Sequence, residues 1–299
     1  MTAEKKKDNQ DAVRLGVSIV VPCYNEENAV RETAEELVKT MEESDWNFEI
    51  LMINDGSKDK TGEILDSLDL PIRVLHNDPN LGYGGTLKRG FREATHETIV
   101  ITDADGTYPN KDIPKLLEFS RNHDMVVGAR TGSNVKVPLI RRPAKWFITK
   151  LASYLAEYPI PDLNSGLRIM KKPVLDRFAG ILPEGFSLTT TITLAMLTTG
   201  YLVKFEPIDY FHRVGQSSIR PIRDTLKFMQ LIVRTVMYFR PLKVFVPASL
   251  TFLAAAIGIL VYSLFFTDQV MDVAVMTMFI CSVQSMGIGL LADLIDKRR

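Results

Sequence analysis

The chain has 299 residues, 36 Lys plus Arg against 36 Asp plus Glu, and 46% hydrophobic residues. That length supports one large domain or two small ones with a buried core. The balanced charge argues against a general nucleic-acid binder, which carries a basic excess. Cys23 and Cys281 are too few for a disulfide framework and fit a reducing compartment. The opening segment, residues 1–14, is polar and lacks an apolar signal core, so the first domain is expected to stay in the cytoplasm.

Strand and helix patterns then alternate. Val17–Val21 is a β-branched run stopped by Pro22, Ala29–Met41 has helical spacing, and Phe48–Ile53 is a second strand. The loop Asn54-Asp55-Gly56-Ser57 follows, and Asp59 can cap a helix running to Leu68. Ile72–Leu75 predicts a third strand and Thr86–Ala94 a helix. Thr98–Thr102 is a fourth strand ending on Asp103-Ala104-Asp105, followed by a helix over Lys111–Ser120 and a short strand at Met125–Val127. Such alternation predicts an α/β domain over residues 15–220 with a mainly parallel sheet. Ligands of these sheets bind beyond the carboxyl ends of the strands, where Tyr24, Asn25, Glu26, Asp55, Asp103 and Asp105 gather.

Residues 221–243 form a separate region. Apolar residues recur at helical spacing with Lys227, Arg234 and Arg240 among them. Both an interfacial helix and an ordinary helix packed on the sheet fit this pattern. Val244–Phe266 and Val273–Ala292 are uncharged and mostly apolar, and each is long enough to span a bilayer. Residues 244–295 are therefore expected to hold two transmembrane helices. Arg240 and Lys243 precede the pair, a basic end at 296–299 follows it, and the link Thr267–Asp272 has no Lys or Arg. The positive-inside rule then places both ends, and the large domain, on the cytoplasmic side.

Asp103 and Asp105 carry the sharpest chemical signal. Two carboxylates one residue apart in a turn can hold Mg2+ while leaving coordination positions for diphosphate oxygens. The segment Asn80–Thr86 holds Gly82, Gly84 and Gly85 and leads into a helix bearing Lys88 and Arg89. It suits close approach of an anion at a helix start, and equally a simple tight turn. It matches neither a dinucleotide fingerprint nor a P-loop.

Pro22-Cys23-Tyr24-Asn25-Glu26, Asn54-Asp55-Gly56-Ser57 with Asp59 and Thr61, and Asp103–Pro109 resemble three landmarks of inverting family 2 glycosyltransferases. Asn164–Arg168 and the group Arg213, Gly215, Ser217 resemble later ones. With its two C-terminal spans the chain is similar to polyprenyl-phosphate glycosyltransferases of the dolichol-phosphate mannose (or glucose) synthase type.

The resemblance implies a GT-A fold in which Pro22, Tyr24, Glu26 and Asp55 surround the donor base and ribose. Gly84, Lys88 and Asp103 complete the donor set, and Asp103 and Asp105 bind Mg2+ or Mn2+. The donor would be a UDP- or GDP-hexose; the Asp-Gly-Thr-Tyr-Pro run looks more like bacterial and archaeal relatives than like eukaryotic mannose synthases, which favours a UDP-hexose. Thr107 stands where relatives often carry a Gln ligand. The acceptor would be a polyprenyl phosphate held by Arg130, Ser165, Arg168, Arg213 and Ser217. Lys145 and Thr149 stand where relatives carry Arg and Ser. Asp105, Arg168 and Arg213 would then serve catalysis, with Asp162 a candidate orienting carboxylate. Inversion would turn an α-linked donor into a β-linked lipid-phosphate sugar at the inner face of the cell membrane. A homo-oligomer is compatible with this picture.

Two rival readings remain at this level. A processive polysaccharide synthase of the same family would want a QxxRW motif, but Gln230 is followed by Leu231-Ile232-Val233-Arg234-Thr235. A non-catalytic membrane scaffold that binds nucleotide sugar would not need the retained Asp55, Asp103 and Asp105.

Overall fold

A computed structural model describes residues 16–132, 142–185, 187–211, 221–267, 269 and 271–296, with the side chains at 142–145, 147–148, 221–228 and 296 outside that description. In chain order the elements are β1 (Gly16–Cys23), α1 (Val30–Glu42), β2 (Asn47–Asn54), α2 (Thr61–Asp66), β3 (Arg73–His76), α3 (Gly82–Glu93) and β4 (Thr98–Ile101). A 3-10 turn at Asn110–Asp112 precedes α4 (Ile113–Ser120), β5 (Met125–Arg130), α5 (Arg142–Ala156), β6 (Arg168–Lys171) and α6 (Lys172–Phe178). Then come α7 (Leu188–Thr198), β7 (Val203–Ile208), α8 (Pro221–Phe239), α9 (Leu242–Phe266) and α10 (Asp272–Asp296).

The strands form one seven-stranded sheet in the order β3-β2-β1-β4-β6-β5-β7. All neighbours are parallel except β6, which runs antiparallel to both β4 and β5. Successive strand side chains point to opposite faces, which divides the core in two. Val20, Leu51, Ile53, Ile101 and Val127 pack with α3, α5, α6, α7 and α8. Val21, Ile50, Met52, Val100 and Val126 pack with α1, α2 and α4. Because β6 is reversed, its first residue, Arg168, pairs with the last residue of β4, Ile101. The start of β6 therefore reaches the edge where the parallel strands end.

Three expectations shift. β1 continues through Pro22 to Cys23, because Pro22 and Cys23 still pair with Ile53 and Asn54 at the end of β2. The glycine segment lies inside α3, which begins at Gly82 rather than Thr86. Gly82 has a φ of +77°, and Gly84 and Gly85 follow as helical residues packed on the 183–185 chain. In α8, Ile232 and Val236 are fully buried in the core shared with α5 and α7, so at these positions the helix packs as an ordinary domain helix.

The first apolar helix begins two residues before Val244 and the second one residue before Val273, and the two pack against each other. Only 11% and 17% of their apolar stretches are buried, far too little for helices of a soluble core. The residues that α9 does bury are Ser249, Ala256 and Ser263. Small and hydroxylated residues lie inside while Leu, Ile and Phe lie outside, which is the arrangement of a helix pair in lipid. Arg240 bonds the Thr198 carbonyl at the end of α7 at 3.0 Å and Glu157 Oε2 at 2.5 Å, and Lys243 also pairs with Glu157. This clamp ties the end of α5 to the root of α9.

Candidate active site at the carboxyl edge of the sheet

The loops after β1 and β2 are laced together by short polar side chains. Ser57 Oγ accepts from the Asn25 amide at 3.1 Å, and Asn25 Oδ1 accepts from the Lys58 amide at 2.8 Å. Thr61 Oγ1 accepts from the Glu26 amide, and Asp59 accepts from the Glu27 and Thr61 amides. Burial alone would raise the Asp59 carboxyl, but the Thr61 hydroxyl and these amides outweigh it and hold it below the ordinary range. Asn25 sits at φ 55°, a left-handed conformation that Asn tolerates. The lacing leaves Tyr24 44% exposed over the edge. Burial, then the Glu26 carboxylate, push the Cys23 thiol up, which removes it as a nucleophile.

Asp55 is buried, and three residues of the loop after β3 fix it. Its Oδ1 accepts from Asn77 Nδ2 and from the Leu81 amide, both at 2.8 Å, and its carbonyl accepts from Asn80 Nδ2 at 2.6 Å. Asn77 is itself held by Thr86 and Arg89. The residues after β3 thus orient the aspartate after β2. Gly84 has a different role from the one expected of a phosphate loop: an added Cβ would lie 2.7 Å from the Glu184 carbonyl carbon and 2.8 Å from Gly185 O. Its missing side chain makes room for the 183–185 chain, whose Glu184 carbonyl accepts from the Gly85 amide at 3.0 Å. Lys88, one turn further along α3, is half-buried.

The Asp103-Ala104-Asp105 turn is anchored from below. Thr33 of α1 donates to the Ala104 carbonyl at 3.1 Å, while Thr102 and Glu36 both bond Asn110. Asp103 is half-buried and accepts from Tyr83 Oη at 3.1 Å. Burial, then Asp103, push the Tyr83 phenol well up, so it stays a protonated donor. Asp105 is buried, and its Oδ1 accepts from the Thr107 hydroxyl at 2.6 Å and the Thr107 amide at 3.2 Å. Thr107 therefore orients Asp105 rather than offering a lone ligand. Two hard oxygen donors on one turn suit Mg2+ or Mn2+, which take few protein ligands and share the rest with phosphates and water. Among the described residues no group of three metal-ligating side chains exists.

On the other side of this turn lies the 162–168 loop. An added Cβ at Gly166 would lie 2.6 Å from Asp103 Oδ2, and the Gly166 amide donates to Tyr108 Oη at 2.6 Å. Asp162 grips Arg130 through Nε at 2.7 Å, Nη2 at 3.0 Å and the main-chain amide at 3.0 Å. The guanidinium also sits 5.1 Å from the Tyr210 ring centroid. Burial alone would lower the Arg130 pKa, but Tyr108 and Asp162 reverse it and push it above the usual range. Arg130 keeps 22% of its side chain exposed.

Arg168 is different. It is fully buried, donating to the Ser165 carbonyl at 2.7 Å, the Leu163 carbonyl at 2.8 Å and Thr193 Oγ1 at 2.5 Å. Burial lowers its pKa to about 10, and Asp162 recovers only part of that. Its fork holds the 163–165 loop closed. Ser165 is also buried and donates to the Gly128 carbonyl at 2.5 Å.

The structure thus brings together Pro22, Tyr24, Glu26, Asp55, Asp103, Asp105 and Arg130 at one edge. Thr149 lies apart from them, in a cavity of about 570 Å3 with Lys150, Ser153 and Tyr158. The side chain of Lys145 falls outside the described residues, as do Arg213 and Ser217. Asn77, Tyr83 and Gly166 were missed as site residues. Asn77 and Tyr83 carried no spacing signal, and Gly166 lay inside a landmark read for its Ser and Arg.

A model of the glycosyl transferase family 2 matches residues 18–178. The chain belongs to that family. A model of the GtrB C-terminal hairpin matches residues 240–297, and together with the two lipid-suited helices it marks this glycosyltransferase as membrane-anchored. A dolichyl-phosphate hexose transferase of Haloferax volcanii is 27% identical over 220 residues, covering 73% of this chain and 92% of the relative. An undecaprenyl-phosphate mannosyltransferase of Micrococcus luteus is 28% identical over 217 residues, covering 69% and 88%. A dolichol-phosphate mannosyltransferase of Pyrococcus furiosus is 33% identical over 173 residues, covering 55% of this chain but 46% of the relative. Among solved structures, glucosyl-3-phosphoglycerate synthase from Mycobacterium tuberculosis, with Mn2+, UDP and phosphoglyceric acid, superposes at a TM-score of 0.57. It is 17% identical, covers 76% of this chain and 78% of its own, and shows the shared GT-A fold.

Proposed function

We propose that this glycosyltransferase moves a hexose from a nucleotide sugar to a polyprenyl phosphate at the cytoplasmic membrane face, with inversion. The observation that carries the reading is the convergence of Asp55, Asp103, Asp105 and Arg130 at one sheet edge of a domain rooted on two lipid-exposed helices. The named activities of the H. volcanii and M. luteus relatives support it.

Asp55, pinned by Asn77 and the Leu81 amide, receives the imide proton of the donor base, and Tyr24 covers the ring. A UDP-hexose is the preferred donor. Asp103 and Asp105 hold Mg2+ or Mn2+, which supplies positive charge at the departing diphosphate. Tyr83 and Thr107 orient the two carboxylates. Arg130, braced by Asp162, receives the acceptor phosphate, because a guanidinium with part of its fork still exposed can bond phosphate oxygens. Arg168 and Ser165 shape the loop behind it, and Arg213 and Ser217 complete the acceptor set by resemblance. A phosphate monoester is largely dianionic at neutral pH, with a second pKa near ~6. It attacks the anomeric carbon opposite the diphosphate without a strong base, and catalysis rests on positioning and charge.

The test is transfer of radiolabelled hexose into organic-extractable product by purified protein in detergent. Product is expected only with polyprenyl phosphate and Mg2+ or Mn2+, and EDTA should abolish it. Absence of product across UDP- and GDP-hexoses, from protein shown to be folded, would overturn the proposal.

A further inference from the structure

One buried carboxamide beneath the turn after β2 is held at both ends. Asn54, the last residue of β2, is buried and pairs across the sheet with His76, the last residue of β3. Its Oδ1 accepts from the Ser57 amide at 3.1 Å, and Ser57 Oγ accepts from the Asn25 amide, next to Tyr24. A backbone amide can only donate, so Oδ1 is fixed toward Ser57 and Nδ2 toward His76 Nδ1, 3.0 Å away. That ring nitrogen must then accept, which puts the imidazole proton on Nε2, where Asp66 Oδ1 lies 3.0 Å away. Gly62 of α2 packs the carboxamide in place, since an added Cβ would lie 2.8 Å from Asn54 Nδ2. Arg89 ties the same residue to the donor aspartate, bonding both the His76 carbonyl and the Asn77 side chain that holds Asp55.

Given donor binding at this edge, on which the idea rests, we propose that neutral His76 is a positioning residue for the nucleotide sugar. It holds Asn54 and, through it, the Ser57 turn that anchors Asn25 beside Tyr24. A second proton, on Nδ1, sets N–H against N–H. Turning the carboxamide over moves the same conflict to the Ser57 amide, so one of the two bonds is lost either way. Asp66 from α2 and Arg89 from α3 are the charged groups facing this residue, and β2 presents the neutral Asn54. Asp66 accepts from Nε2 in either state, so the change falls on the Asn54 side. Imidazoles change charge between about pH 5 and 8, so the turn is held at neutral pH and released in acid.

The test is nucleotide-sugar affinity against pH. Full-length protein in detergent with Mn2+ is titrated calorimetrically with UDP-glucose, and separately with GDP-mannose, from about pH 7.5 down to about pH 5.5. Each phosphate of these ligands carries one strongly acidic group, so the ligands themselves do not titrate over this range. Wild-type affinity should fall by roughly three- to tenfold, the worth of a hydrogen bond. His76→Asn offers a carbonyl near the Nδ1 position and cannot become charged, so it should bind like wild type at neutral pH and keep that affinity in acid. His76→Leu should bind at both pH values as weakly as acidified wild type. Circular dichroism establishes that each variant is folded. A wild-type affinity that does not change with pH overturns the proposal. So does a His76→Asn protein that weakens in acid as wild type does, or a folded His76→Leu protein that binds like wild type at neutral pH. Binding of neither nucleotide sugar by folded wild type at any pH overturns the donor reading itself, and the role of His76 with it.

Discussion

At the scale of single residues, the two arginines proposed for the acceptor side separate cleanly. Arg168 supplies the Ser165 and Leu163 carbonyls from a fully buried position, so Arg168→Met leaves both without a donor. Each orphaned group costs about 1–3 kcal/mol, and urea unfolding should register a loss of about 3–5 kcal/mol. Arg130→Lys, which keeps a cation beside the buried Asp162 but loses the fork, should fold and instead raise the KM for acceptor. Asp105→Asn keeps the volume of the side chain but removes a charge beside the departing diphosphate. Transfer should fall by roughly a hundredfold or more with the melting profile unchanged. The sequence made Asp55, Asp103 and Asp105 legible because strand ends collect ligand residues. It ranked Arg168 as a phosphate contact because an isolated arginine carries no sign of the carbonyls that will surround it. The nearest hint was its place between the apolar Leu167 and Ile169, at the start of a strand.

At the scale of elements, two glycines that look alike in sequence have opposite consequences. Gly84→Ala drives a methyl into the 183–185 backbone and should cost about 1–3 kcal/mol by denaturation, with donor affinity little changed once folded. Gly166→Ala presses on the Asp103 carboxylate. It should weaken Mn2+ binding, read as a higher metal concentration for half-maximal transfer, at small cost in stability. Repeated strand and helix patterns predicted β1 to β4 within one or two residues, and β5 within three, because period-2 and period-3.6 hydrophobicity is local. The reversal of β6 was not legible: its four residues, Arg168–Lys171, carry no direction in their pattern. Direction is set by which edge can seat the buried Arg168 beside Ile101 and Val127.

Across the whole molecule, the Glu157 clamp is the described polar link between the catalytic domain and the first span. Glu157 sits at φ 56°, where glycine is the easier residue at a helix end. Glu157→Gly should therefore leave domain stability essentially unchanged, since an exposed ion pair contributes little and backbone strain is relieved. Turnover of a long, membrane-embedded polyprenyl phosphate should nevertheless fall relative to a short water-soluble one, as the domain loses its fixed angle to the bilayer. The hairpin has a further consequence for anyone who heats or titrates this protein. Its outer surface prefers hydrocarbon while the domain above it prefers water, so the two halves answer to different solvents and melt by different rules. Urea should dismantle the sheet while α9 and α10 remain wound in their micelle, and residual helicity after the main transition is then a property of the anchor. A single melting temperature would describe neither half.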